Sequence, residues 1–187
     1  KDGTIINGWQ FEGSEYPVMH PVKHFRIGTK DYIVFGDGRN TYILNRRGDV
    51  RVPLDKIIIS SPNNNYQVED KNVPEKSRIV ITDTIGKIIS IYFDGRIVES
   101  ILDSKFRSDH FFDFKDVDAV GQRDYIFLDG NVLSVYRQDK SKIFSYEFRN
   151  SIDHEPIYFR FSYSDRKLGI TDKKEGSIYL INNNGSV

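Results

Sequence analysis

Three of the four histidines in this chain lie at similar distances before an aspartate that ends an apolar segment. The pairs are His20 and Asp37, His110 and Asp129, and His154 and Asp172. Their separations are 17, 19 and 18 residues, and an offset of 18 before the related Asp83 falls on Asn65. Imidazole nitrogens bind zinc, copper, nickel and iron. If these positions converge around one axis, they predict a channel-rim binding site for a metal of unknown identity. The predicted site residues are His20, Asn65, His110 and His154. The alternative is that these residues cap strands or form hydrogen bonds between repeats.

A second candidate for chemistry is the acidic stretch 112–120, which places Asp113, Asp116 and Asp118 within six positions. Pairs of carboxylates carry out glycoside hydrolysis, and His110 precedes them closely. This pattern suggests, as an alternative function, a propeller hydrolase or lyase acting on saccharides. The alternative is that the carboxylates form the solvated face of a strand and its turn. We recognise no catalytic motif, assign no catalytic residue and prefer a non-enzymatic interpretation.

An internal repeat positions these residues. Four apolar segments end on an aspartate, at 31–37, 78–83, 124–129 and 167–172. The aspartates Asp37, Asp83, Asp129 and Asp172 follow one another at steps of 46, 46 and 43 residues. A second anchor, formed by Tyr42, Tyr92, Tyr136 and Tyr179, steps by 50, 44 and 43 residues. Two anchors with nearly the same period indicate tandem repeats of one supersecondary unit. We expect the aspartates to fix turns by accepting backbone N–H bonds.

Each repeat is predicted to form four short strands joined by hairpin turns, because Asp-Gly and Asn-Gly steps separate the apolar runs. The predicted fold is all-β, a β-propeller of four tandem four-stranded blades in a single domain, 1–187. The blades are predicted at roughly 15–54, 55–103, 110–150 and 154–187 plus 1–13. A β-sandwich is the rival fold, although a sandwich does not require a regular four-strand period.

The two ends of the chain bear on whether such a propeller closes. The last repeat lacks a fourth strand, whereas segment 4–11 is predicted to form an additional strand ahead of the first repeat. Joining the two in one blade would close the ring and remove exposed sheet edges. The alternative is a fragment of a larger propeller, with segment 4–11 belonging to an upstream blade. The histidine site depends on closure with four blades.

Composition excludes several classes of function. Lysine plus arginine and aspartate plus glutamate number 27 each, and this balance argues against a nucleic-acid binder. The absence of cysteine excludes disulfides and thiolate metal sites. No apolar run is long enough to span a membrane. Because the chain begins without methionine, we expect it to belong to a longer protein with flanking domains.

Segments 41–50 (TYILNRRGDV) and 177–187 (SIYLINNNGSV) share a strand with a tyrosine, followed by a glycine turn. In this the repeats resemble blades of PQQ-like (quinoprotein-dehydrogenase-like) propellers of bacterial envelope proteins. The resemblance implies a propeller and a periplasmic, cell-envelope or secreted location. PQQ-dependent dehydrogenases hold their cofactor against a vicinal disulfide and carry recurring tryptophan motifs. This chain has no cysteine and one tryptophan, Trp9, so no cofactor is predicted.

We therefore expect a non-enzymatic propeller scaffold whose loops bind a protein or saccharide ligand. The alternatives are the saccharide hydrolase or lyase and a metal-binding four-blade ring. The aromatic residues Tyr158, Phe159, Phe161 and Tyr163 alternate as on a strand. Where such a set is exposed, it indicates a surface for a protein or a glycan.

Overall fold

The computed structural model of the protein describes residue 4 and residues 7–187. This part of the chain contains fourteen strands and no helix, which confirms the all-β prediction. The described residues accordingly include no helix that could cross a membrane. Isoleucine, valine, phenylalanine and tyrosine are frequent in these strands, as expected for residues whose side chains pack well on a pleated surface.

The strands form four antiparallel sheets. Sheet A contains β1 (Lys23–Ile27), β2 (Lys30–Gly36) and β3 (Thr41–Leu44). Sheet B contains β4 (Gln67–Glu69), β5 (Arg78–Thr82), β6 (Ile88–Tyr92) and β7 (Ile97–Ser100). Sheet C contains β8 (Phe111–Lys115), β9 (Asp124–Asp129), β10 (Val132–Tyr136) and β11 (Lys142–Glu147). Sheet D contains β12 (Ile157–Arg160), β13 (Arg166–Asp172) and β14 (Ser177–Asn182). Each strand pairs with the next along the chain within its sheet, so every predicted repeat corresponds to one sheet.

The chain divides into two compact units. Unit 1 comprises Lys1–Asp83 and Lys87–Ser100, and it contains sheets A and B. Unit 2 comprises Thr84–Gly86 and Ile101–Val187, and it contains sheets C and D. Each unit therefore consists of two successive repeats.

In both units the two sheets share a buried core with the same relation to the repeat aspartates. In unit 1, Val34 and Ile81 belong to one buried cluster. They lie three residues before Asp37 and two residues before Asp83, respectively. In unit 2, Ile126 and Ile170 share the other buried cluster, three and two residues before their own aspartates. Successive strand residues point to opposite faces of a sheet. In both units, therefore, the same positions relative to the repeat aspartates face the shared core.

Each unit also has a sheet face that points away from its core. On the outer face of sheet A, Ile33 pairs with Leu44 and Phe35 pairs with Tyr42 across β2 and β3. The outer face of sheet D carries residues from three strands. These residues are Ile157, Phe159, Gly169, Ile178 and Leu180. These two outer faces have very different surroundings, as described below.

Sheet A has three strands, whereas four were predicted for each complete repeat, and the segment in the place of the fourth is 50–52. There the chain makes only an isolated bridge between Leu44 and Val50. The N–H groups of Arg51 and Val52 both donate to the carbonyl of Ile43, at 2.8 and 3.3 Å, so the ladder cannot advance. Pro53 follows and has no N–H to extend the pairing. Sheet D also has three strands, as the sequence predicted for the last repeat.

The additional strand predicted at 4–11 falls partly outside the described residues, because residues 5 and 6 are not among them. Residues 7–11 form no strand. Phe11 packs instead edge-on against Phe35 and Tyr42 on the outer face of sheet A, with ring centroids 5.5 and 5.3 Å apart.

The repeat aspartates fix turns as predicted, with one exception. Asp37 accepts the N–H groups of Arg39 and Asn40, at 3.0 and 2.7 Å. Asp83 and Asp172 likewise accept N–H groups three or four residues ahead. Asp129 differs because the two-residue hairpin after it leaves no such donor, since Val132 already pairs with Asp129 in the ladder. Its carboxylate accepts the N–H of Arg107 instead, at 3.2 Å.

Candidate functional site

The predicted site residues of unit 1 are held by local contacts. His20 is buried, with 4% of its surface exposed, and its Nε2 lies 2.8 Å from Oγ of Ser60. The ring also packs edge-on against Tyr66, at 5.5 Å between centroids. Burial lowers the pKa of His20, which favours the neutral imidazole. Asn65 is half-buried, and its neighbour Asn64 is the buried amide, donating to Oγ1 of Thr82 at 2.8 Å.

The predicted site residues of unit 2 have unlike environments. His110 is fully buried, and its Nδ1 donates to the carbonyl of Arg107 at 2.6 Å. Phe106 and Phe127 flank the ring, at 5.8 and 5.7 Å between centroids. His154 is partly exposed, with Nε2 3.6 Å from Asp153. Two of the three repeat histidines are thus buried groups with a hydrogen bond inside their own unit. Convergence of all four predicted residues on one site stays a prediction.

The acidic group that the structure does assemble lies in the turn between β8 and β9. Carboxylate oxygens of Asp116, Asp118 and Asp124 lie within 4.8 Å of one another. Among the described residues, these three form the one group in which at least three histidine, aspartate or glutamate side chains lie close enough together to bind the same ion. The sequence had singled out Asp116 and Asp118, whereas Asp124 was missed because it lies in the next strand.

Neighbouring arginines and backbone groups compensate this acidic group. Arg137 Nε donates to Asp118 at 2.9 Å, and Arg166 lies 3.7 Å from Asp116. Oδ2 of Asp124 accepts the N–H groups of Val117 and Asp118, at 2.8 and 3.2 Å. Burial raises the pKa of Asp124 to about 6, and the nearby carboxylates add to the shift. The arrangement pins the 116–124 turn onto sheet C.

These contacts bear on the hydrolase alternative. A glycosidase needs two carboxyl groups that both reach the substrate. Asp124 has 1% of its surface exposed, so a substrate cannot reach it in this conformation. Asp113 pairs with Lys115 at 2.9 Å, and His110 is fully buried. The group is therefore better explained as an ionic clamp on the turn than as a catalytic pair.

One concavity of unit 1 involves residues 7–16, part of which had been predicted to form an additional strand. We call residues 7–16 the strap. The strap runs over the outer face of sheet A, where Gln10 donates its N–H to the carbonyl of Arg47 at 2.7 Å. The N–H of Tyr16 donates to Asp37 at 3.2 Å, and the N–H of Glu15 donates to the hydroxyl of Tyr42 at 3.1 Å. Backbone hydrogen bonds thus hold both ends of the strap on the sheet.

The turn after β3 provides the second wall. Oδ1 of Asn45 accepts the N–H groups of Arg47 and Asp49, at 2.7 and 3.2 Å. Gly48 has a φ of +85°, and a Cβ there would lie 3.0 Å from two ring carbons of Trp9 and 2.7 Å from the nitrogen of Phe11. Glycine is therefore required both by the turn and by the close approach of the strap.

Between the strap and this turn lies a cleft of about 660 Å³, which we call the strap cleft. Trp9 and Gln10 line it from the strap. Ile33 lines it from β2, and Arg46, Arg47 and Asp49 line it from the turn. Trp9 is half-buried, so part of its indole is available to the cleft. The volume falls within the range of small-molecule sites, which combine apolar walls with a few polar groups.

The two arginines of the strap cleft differ in their partners. Nε of Arg46 lies 3.1 Å from Oδ2 of Asp31, and Nε2 of His24 lies 2.9 Å from the other oxygen of that carboxylate. The hydrogen bond from His24 and the charge of Arg46 lower the pKa of Asp31, so Asp31 stays ionised beside Arg46. The Arg47 side chain makes no ion pair or hydrogen bond with the residues that the structure describes.

Two features of the sequence belong to this cleft, although nothing in the sequence connects them. Trp9 is the only tryptophan in the chain, and Arg46 and Arg47 form one of its short basic clusters. Their proximity depends on the strap docking onto sheet A, and 39 residues separate Trp9 from Gly48 in the sequence. No local pattern predicts such a contact.

Comparisons with known proteins give limited guidance. No protein-family model matches the chain, and no curated protein matches it significantly. Among solved structures, the chain is similar to the crystal structure of a protein of unknown function from Bacteroides caccae, with a TM-score of 0.46 and 9% sequence identity. The similarity covers 91% of this chain, and the chain spans 62% of the length of that protein.

Proposed function

We propose that the chain is a non-enzymatic binding module made of β-propeller blades, and that it binds a saccharide in the strap cleft. The observation that carries the proposal is the strap cleft itself. There the single indole of the chain lies beside amide, carboxylate and guanidinium groups. A rigid sheet holds one wall of the cleft, and a docked segment forms the other.

The propeller part of the proposal rests on how the sheets stack. In a propeller, each blade packs one face on the preceding blade and the other on the following blade. One part of this arrangement supports the proposal, since in each unit a residue three positions before one repeat aspartate shares a buried cluster with a residue two positions before the next. The envelope or secreted location remains a prediction from the resemblance, and the flanking sequence of the full-length protein would test it.

The saccharide part rests on the mixture of groups in the strap cleft. The face of an aromatic ring carries partial negative charge and attracts the polarised C–H groups of a pyranose ring. The hydroxyl groups of a sugar both donate and accept hydrogen bonds, and Gln10, Asp49 and Arg47 offer complementary groups. A purely apolar ligand would leave these polar groups without partners, which costs binding free energy.

The lining of the strap cleft does not support catalysis. Asp49 is its one carboxylate among the described lining residues, and its Oδ2 accepts a hydrogen bond from Asn45 at 2.9 Å. No histidine, serine or second carboxylate lines the described cleft. General acid–base or nucleophilic chemistry needs at least one such partner within reach. Binding is therefore the function that this lining fits best.

Titration of the protein with a panel of oligosaccharides tests the proposal, with tryptophan emission as the readout because Trp9 is the only tryptophan. We expect at least one saccharide to change the emission saturably, with a Kd on the order of 1 mM or below, about −4 kcal/mol or better. Calorimetry on Trp9→Ala should show that binding is lost. As a matched control, Tyr163→Ala removes an aromatic ring that is 75% exposed in unit 2 and should leave binding unchanged. A panel without any saturable change would refute the proposal.

A further inference from the structure

We infer that the saccharide bound in the strap cleft is acidic, with a carboxylate that pairs with Arg47. This inference rests on the proposed function and adds the chemical class of the ligand. The juxtaposition that carries it is an arginine without a partner among the described residues, placed between an indole and a carboxylate that can accept from hydroxyl groups.

Arg46 is not the free cation of the strap cleft. Its Nε is 3.1 Å from Asp31, whose side chain is 8% exposed. A pair with one nearly buried member is screened less by salt than a fully exposed pair. Although the Arg46 side chain is 78% exposed, its charge therefore has an anionic partner within unit 1.

Arg47 has no such partner among residue 4 and residues 7–187. The backbone of Arg47 is fully used, because its N–H donates to Asn45 and its carbonyl accepts from Gln10. These two bonds fix where the side chain begins, at the junction of turn and strap. The planar guanidinium offers a fork of donors that fits the two oxygens of a carboxylate.

Asp49 restricts the charge of the ligand. Its carboxylate lines the same cleft and would repel a multiply charged anion such as a phosphate. A hexuronate avoids this conflict, because its single carboxylate can pair with Arg47 while its hydroxyls donate to Asp49. A neutral sugar would satisfy Asp49 but leave Arg47 unpaired.

The test compares glucuronate or galacturonate oligosaccharides with their neutral hexose counterparts, titrated at low salt and followed by Trp9 emission. We expect the acidic sugar to bind about fivefold more tightly, as for an exposed charge pair of favourable geometry. Arg47→Gln should abolish this preference, so that the acidic and the neutral sugar bind the variant equally, while the strap stays docked because the Arg47 side chain plays no part in holding it. Arg149→Gln, which removes an exposed arginine in unit 2, should preserve the preference.

The outcomes separate this inference from the function on which it rests. Equal binding of the acidic and neutral sugars by the unaltered protein, or an undiminished preference in Arg47→Gln, would overturn the inference and leave saccharide binding intact. If neither type of sugar changes the emission, saccharide binding in the strap cleft itself fails. An unchanged unfolding midpoint of Arg47→Gln would show that the variant is folded.

Discussion

The outer faces of sheets A and D belong to different units, and their surroundings are opposite. On sheet A, Phe35 packs against Phe11 of the strap and is 6% exposed, and Leu44 is 0% exposed. On sheet D, Ile178, Ile157 and Leu180 are 73%, 54% and 43% exposed. Terminal repeats commonly have a capping device that covers an apolar face. Here the strap caps sheet A and at the same time creates a cleft.

The same contrast shows that the solvent exposure of an outer face depends on the segment that covers it more than on the residues of the face itself. Apolar side chains project from both outer faces. The difference is Phe11 and Trp9, which come from outside the sheet and reach Phe35 and Gly48.

Truncating a phenylalanine should cost far more stability under the strap than on sheet D. We expect Phe35→Ala to lower the free energy of unfolding by about 3–5 kcal/mol, the usual cost for a buried phenylalanine. Phe159→Ala, at a position 37% exposed, should cost roughly 1 kcal/mol or less. Urea denaturation of both variants measures the difference. Equal losses would show that the strap does not cover sheet A in solution.

The two units should also respond to pH in opposite directions through Asp124 and Asp31. The pKa of Asp124 is raised from 3.8 to about 6, so its contribution to stability is fully present below pH 3.8 and is lost as pH rises through about 6. This shift corresponds to about 3 kcal/mol. The pKa of Asp31 is lowered, so its contribution is present above its ordinary pKa and is lost as pH falls.

Replacing each aspartate isolates its part of this pH dependence. Relative to the unaltered protein, Asp124→Asn should become progressively more stable between about pH 4 and pH 7. Asp31→Asn should become relatively more stable only as the solution is acidified. Chemical denaturation at a series of pH values measures both. An Asp124→Asn profile parallel to that of the unaltered protein would contradict the raised pKa.

A single methyl group should release the strap. Gly48 and Gly121 share a φ of +85°, but a Cβ would meet Trp9 and Phe11 at Gly48 and nothing within 4 Å at Gly121. Both alanine variants therefore carry similar backbone strain, roughly 1–2 kcal/mol, and only Gly48→Ala should disturb the strap. We expect a red-shifted Trp9 emission and faster proteolysis of the strap in Gly48→Ala alone. The same emission shift in Gly121→Ala would exclude this explanation.

The smallest effect is expected on the outer face of sheet D. Ile178→Thr replaces a side chain that is 73% exposed and should change the free energy of unfolding by about 0.5 kcal/mol or less. The substitution should reduce binding of a hydrophobic dye, because exposed apolar patches bind such probes. A large loss of stability would indicate that this face is covered in solution.

Parts of the fold that depend on local periodicity could be predicted from the sequence. The aspartate period located β2, β5, β9 and β13, and alternation along these strands explains why Val34 and Ile81 belong to the same buried cluster. Strand existence followed from hairpin glycines and apolar runs. The absence of a strand at 50–52 could not be predicted in this way, because it results from two N–H groups that donate to the same carbonyl of Ile43.

The candidate sites were harder to predict because they depend on contacts between distant segments. The repeat histidines are regularly spaced along the chain. Their spacing does not reveal that Phe106 and Phe127 flank His110. Asp124 joins Asp116 and Asp118 only through the turn between β8 and β9. The strap cleft requires Trp9 to reach Gly48 across the surface of sheet A. Such docking depends on the summed apolar burial of Phe11 and its neighbours and has no sequence period.

We propose that the docked strap forms a saccharide site whose occupancy Trp9 reports. The most direct test is to titrate the unaltered protein and Gly48→Ala with acidic and neutral oligosaccharides while recording tryptophan emission. We predict a saturable change in the unaltered protein, and its loss in Gly48→Ala, because the cleft exists only while the strap lies on sheet A. Absence of any saturable change in the unaltered protein, or equal binding by Gly48→Ala, would contradict the claim.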